Sequence, residues 1–154
     1  MQRSMTIGLT RDEGVVLLEW LSRENRAKRG FPWAHEAEQH VVRCIRSELS
    51  RVLGGEIHPD YGATVFAARA RVMAGASAGS GMTLFLTGDE ALVLLDWLKR
   101  MEHDEGLPME HAAEGHVVYK VEGHLERVLV EPFHPDYGSI LSAARRRVAS
   151  DEES

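Results

Sequence analysis

The chain has a single cysteine, only three lysines and no long apolar run, and each shortage narrows what it can be. Cys44 alone excludes an intramolecular disulfide and a cysteine-based zinc site. Nowhere do about 18 apolar residues follow one another, so no membrane span is expected. The opening MQRSMTIGLT also lacks the apolar core of a signal peptide. A cytoplasmic location is the resulting expectation. Lysine is scarce against 15 arginines, which reads as the coding bias of a GC-rich bacterial genome and not as a functional choice. Also missing are a phosphate-binding loop, H-E-x-x-H and paired cysteines. A net charge of −6 argues against a general nucleic-acid binder, which needs a basic face to neutralise phosphates.

What the chain does have is itself, twice. His58-Pro59-Asp60-Tyr61-Gly62 returns unchanged as His134-Pro135-Asp136-Tyr137-Gly138. Setting residues 5–73 against 82–149, with one residue deleted before Gly106, gives 34 identities in 68 pairs. Between the repeats, residues 74–81 read AGASAGSG, a linker with nothing to pack. Two copies are too few for a solenoid, and a 70-residue unit is small for a core of its own. A fused dimer, with copy packed on copy about a pseudo-twofold axis, satisfies both limits. The chain is then an intramolecular pseudo-dimer and a monomer in chain count. Charge fits such docking: residues 1–76 carry 11 basic and 9 acidic residues (+2), and residues 77–154 carry 7 and 15 (−8).

The pattern within each copy predicts a mainly α fold: two tandem three-helix repeats forming a six-helix body, with a short two-stranded β element. Thr6–Leu9 and Thr83–Leu86 are strand-like and can pair across the axis. Thr10-Arg11-Asp12-Glu13 and Thr87-Gly88-Asp89-Glu90 are capping boxes, in which the hydroxyl takes the N3 amide and the glutamate the N-cap amide. The first helix of each copy is apolar over two turns and reads as a central element covered on two sides. The second helix is expected over Ala34–Leu53, with Ala37, Val41, Cys44, Ile45, Glu48, Leu49 and Val52 on or beside one stripe. Cys44 is therefore expected at the edge of the core. The third helix is expected to start at the repeated proline, with Tyr61, Val65, Ala68 and Val72 inward and Arg69, Arg71, Arg145, Arg146 and Arg147 outward.

Four candidate sites follow. His35 and Glu38 share one face, the duplication adds His111 and Glu114, and two such pairs meeting at the axis could hold a metal ion. The same residues could instead pair with each other or cap the helix start. His40 and His116 lie about 140° further round, on another face. His58, Asp60 and Tyr61, with their twins, could relay protons. Trp20, Tyr61, Trp97 and Tyr137 could wall a small-molecule pocket between the copies. Glu102, Asp104, Glu105, Glu110, Glu122 and Glu126 offer an acidic surface to a partner protein.

The run Leu86-Thr87-Gly88-Asp89-Glu90-Ala91-Leu92-Val93-Leu94, then Ala113-Glu114, Leu129-Val130-Glu131-Pro132-Phe133, Pro135-Asp136-Tyr137 and Ala143-Ala144-Arg145-Arg146-Arg147-Val148, resembles a widespread type of small bacterial helical protein with no established activity. The first copy departs from that pattern at Gly14 and at Gly54-Gly55-Glu56-Ile57. The resemblance implies the helical fold and no function. The leading expectation is a non-enzymatic binding or regulatory protein, without cofactor, whose partner is another protein, as in immunity or inhibitor proteins. The competing one is a metal-binding protein or metal-dependent enzyme using His35, Glu38, His111 and Glu114.

Overall fold

A computed structural model describes residues 4–26, 31–54, 60–76, 81–104 and 106–153. In chain order these form β1 (Ser4–Leu9), α1 (Arg11–Arg26), α2 (Glu36–Leu53), α3 (Tyr61–Met73), β2 (Met82–Thr87), α4 (Gly88–Asp104), α5 (Ala112–Val128), a 3-10 turn at Glu131–Phe133 and α6 (Tyr137–Glu153). The described residues are mainly helical, with six helices and a two-stranded antiparallel sheet.

Both central helices start as their capping boxes dictate. Thr10 N donates to Glu13 Oε1 at 2.8 Å and Glu13 N to Thr10 Oγ1 at 3.1 Å, and Thr87 and Glu90 repeat both distances. β1 pairs with β2 in a register centred on Ile7 opposite Leu84, the two residues that correspond in the duplication. Met5, Ile7, Leu9, Met82, Leu84 and Leu86 point inward, which alternation along a half-buried strand requires. A lone two-stranded ribbon is marginal in water. Here its inner face rests on α1, α2 and α4.

α1 and α4 carry the core: Val16, Leu18, Trp20, Val93, Leu95 and Trp97 are almost fully buried. α1 packs on α2 and α3 of its own half and on α5 of the other; α4 packs on α5, α6 and α2 in the same way. α2 also reaches α6, and α3 reaches α5. Packing within each half is therefore joined by packing exchanged between the halves.

Three expectations need correction. The third helices begin at Tyr61 and Tyr137, not at the prolines. In the second half His134 Nδ1 accepts from Asp136 N at 3.0 Å, so Pro135 sits in a side-chain-closed turn before the helix. Cys44 is exposed and not at the core edge, because the buried stripe of α2 runs through Ala37, Val41, Ile45 and Leu49. Arg69 and Arg145 are not on the outer face; both are turned inward to buried carboxylates.

Candidate functional site

The polar centre of the molecule is a pair of exchanged ion clusters. Glu38 and Glu114, at the third positions of α2 and α5, are buried. Glu114 Oε1 accepts from Arg23 Nη2 at 2.9 Å, and its Oε2 takes Arg23 Nη1 in a short contact and Arg69 Nη2 at 3.3 Å. Glu38 Oε2 accepts from Arg100 Nη2 at 2.6 Å and Arg145 Nη2 at 3.4 Å. Each glutamate is thus held by two arginines of the opposite half. Burial pushes the Glu114 carboxyl up, but Arg23, the Glu110 amide and Arg69 outweigh it, leaving the group below its ordinary range. The same contact raises Arg23. Removing either partner would strand a charge in the core.

The clusters extend outward. Arg100 Nη1 donates to Asp96 Oδ2 at 2.8 Å, and Tyr137 OH donates to Asp96 Oδ1 at 3.2 Å. Tyr61 OH donates to Glu19 Oε2 at 2.5 Å in the corresponding place. Burial, then Asp96, hold the Tyr137 phenol well above its usual range. Arg71 and Arg147 clamp Asp12 and Asp89 with paired bonds of 2.7–2.8 Å. Of the proton-relay candidates, Asp60 and Tyr61 lie at the start of α3, and His58 lies outside the described residues.

His35 and His111 are N-caps. The Nδ1 of each accepts from the amide two residues on, Ala37 N and Ala113 N, at 3.0 Å. Glu38 Oε1 in turn accepts from Ala34 N at 2.8 Å, and Glu114 Oε1 from Glu110 N at 2.9 Å. The His/Glu pairs therefore cap helices and neutralise arginines. Among the described residues, a different group brings three potential metal ligands together: His40, Cys44 and Glu90, with one ligand atom of each within 4.8 Å of the others. It is a mixed set, not the all-cysteine site that a lone cysteine rules out. Sequence reasoning missed it because His40 and Cys44 share a face of α2 while Glu90 arrives from α4 of the other half.

Trp20 and Trp97 line an apolar cavity of about 20 Å³ between the halves, with Ile7, Leu84, Leu17 and Leu94. That is room for roughly one water, and without polar partners there a water has little to hold it. Tyr61 and Tyr137 do not line it. Trp20 Nε1 donates to Pro108 O at 2.9 Å, whereas Trp97 stacks on Trp33 at 5.1 Å.

On the acidic surface, Glu102, Asp104 and Glu110 are exposed and Glu126 is about half-exposed beside Lys99. Glu105 lies outside the described residues. Glu122 is buried, with Lys99 Nζ at 3.2 Å, Glu102 and Glu126 as charged neighbours. One helical turn past Glu126 the chain exposes Val130 (67%) and Phe133 (85%), held in the same 3-10 turn by the bond from Phe133 N to Val130 O. No protein family matches this chain, and no curated protein or solved structure matches it either. No helix of the described residues is long and apolar enough to cross a membrane.

Proposed function

We propose that the chain is a non-enzymatic binding or regulatory module acting in the cytoplasm, whose ligand is another protein with a basic surface and an apolar pocket. The observation that supports this reading is the exposed turn of Val130 and Phe133, one helical turn beyond the carboxylate of Glu126. An aromatic side chain held out on a short rigid turn is suited to anchor an interface, and burial on a partner returns about 25 cal/mol per Å² of apolar surface. Acid on the same half sets encounter rate and selects basic partners. Glu126 is the carboxylate beside the turn, and Glu102, Asp104 and Glu110 add exposed acid toward the other end of α5.

Neither alternative gains comparable support. Glu38 and Glu114 are committed to arginines, which leaves the His35/His111 metal reading without its carboxylates. The space walled by Trp20 and Trp97 is too small for an organic ligand. The test is quantitative co-purification from cells that make the protein, comparing wild type with Val130→Ser/Phe133→Ser and with Glu102→Lys/Asp104→Lys. A partner retained by wild type and by Phe66→Ser, but lost from both double variants, is the expected result. Equal recovery by all four proteins would reject this surface.

A further inference from the structure

We propose that His40, Cys44 and Glu90 form a binding site for one thiophilic divalent cation, with Zn²⁺ the chemistry that fits best. His40 and Cys44 are four residues apart on α2, hence on one face, with Nε2 and Sγ 3.6 Å apart. A tetrahedral zinc ion with bonds of about 2.0–2.3 Å spaces its ligands roughly 3.5 Å apart. The carboxylate of Glu90 comes from the first turn of α4, and all three ligand atoms lie within 4.8 Å of one another. Glu90 is already oriented: its Oε1 accepts from Thr87 N at 2.8 Å, which leaves Oε2 for an ion. Outer bonds of this kind fix the geometry of a metal ligand.

The other half supplies the second, independent observation. There Glu13 closes the same capping box, His116 stands where His40 does, and the residue corresponding to Cys44 is Lys120. The Lys120 ammonium sits 2.7 Å from Glu13 Oε1. That end of the molecule carries its own cation between α5 and α1. At the end with Cys44 the ammonium is gone, and a thiol and an imidazole face the same carboxylate. A divalent ion with thiolate, carboxylate and neutral imidazole sums to zero charge, as Lys120 with Glu13 does. Sulfur and nitrogen donors select zinc over magnesium, calcium or manganese. Three protein ligands at an exposed position leave the fourth to water. The ion would join α2 to α4, and so one half to the other.

The test is titration of the full, metal-stripped chain with Co²⁺, followed by displacement with Zn²⁺. One Co²⁺ per chain with a thiolate charge-transfer band is expected, together with a melting temperature that climbs with added Zn²⁺. Outer-shell changes alone weaken metal sites about 10–100-fold, so His40→Ala, Cys44→Ser and Glu90→Gln should each cost at least about tenfold in affinity. Glutamine keeps the capping box, so E90Q separates ligation from helix starting. Cys44→Lys copies the arrangement at Lys120 and should fold normally and bind no Co²⁺ there. A missing thiolate band overturns the proposal. So does a band that survives unweakened in either H40A or E90Q, since the cysteine would then bind alone. Wild-type affinity in C44K overturns it as well.

Discussion

At the scale of single residues, the two buried glutamates decide most. Glu114→Ala leaves Arg23 and Arg69 without their shared carboxylate, and breaking such a buried pair costs about 3–5 kcal/mol. Urea unfolding at neutral pH should show that loss. Because the Glu114 carboxyl is held below its ordinary value of 4.5, its contribution is complete above that pH and fades as the pH falls further. The gap between wild type and variant should narrow in the same direction. Glu122 has the opposite sign. Burial raises it most and Glu102 adds to that, against the pull of Lys99, so its folded form is favoured below pH 4.5 and loses ground as the pH rises through the lifted value. Glu122→Gln should therefore melt higher than wild type at pH 7, with a smaller advantage at pH 4. A variant that melts lower at pH 7 would show Lys99 to be the stronger influence. The spacing of His35 with Glu38 was visible in the sequence as one helix face. What occupies that face was not, because Arg100 and Arg145 come from 62 and 107 residues away.

At the scale of elements, the starts of helices were the most legible part. Threonine, aspartate and glutamate at fixed spacing specify α1 and α4 through bonds that stay within four residues. The caps of α2 and α5 were less plain, since imidazole is an unusual acceptor for an N-terminal amide. His111 closes a full capping box with Glu114. His111→Ala should cost about 1 kcal/mol in thermal or urea unfolding, the usual worth of a cap, while the fold persists. A much larger loss would mean that the cap also sets the position of Glu114 for Arg23. The repeated proline misled because helix entry here is governed by the turn that His134 closes on Asp136. Proline suits that turn as well as it suits a first helical residue. Gly14, one of the departures of the first half, has a packing cause: a Cβ there would come within 2.4 Å of the Met82 sulfur from β2. The sequence position alone gives no hint of that neighbour.

At the scale of the whole molecule, the duplication disclosed two halves but not how they are joined. The buried ion pairs are traded between the copies: Arg23 goes to Glu114 and Arg100 to Glu38. Residues 81–154 by themselves carry Arg100 and Glu114, the two ends of the exchanged pair. Made as a separate fragment, that half should be recovered as a dimer in sedimentation velocity, with Arg100 of one copy on Glu114 of the other. A folded monomer would count against the exchange as the main source of stability. The ribbon gives the same trade in backbone form, because among the described residues each strand pairs only with the strand of the other half. A last consequence concerns inheritance. When a polypeptide pairs with an identical copy, one codon writes both of two related positions, and they change together or not at all. Here two codons do that writing, so Lys120 at one end and Cys44 at the other can coexist in every molecule. Joining the halves in one chain is what lets two corresponding corners carry different chemistry.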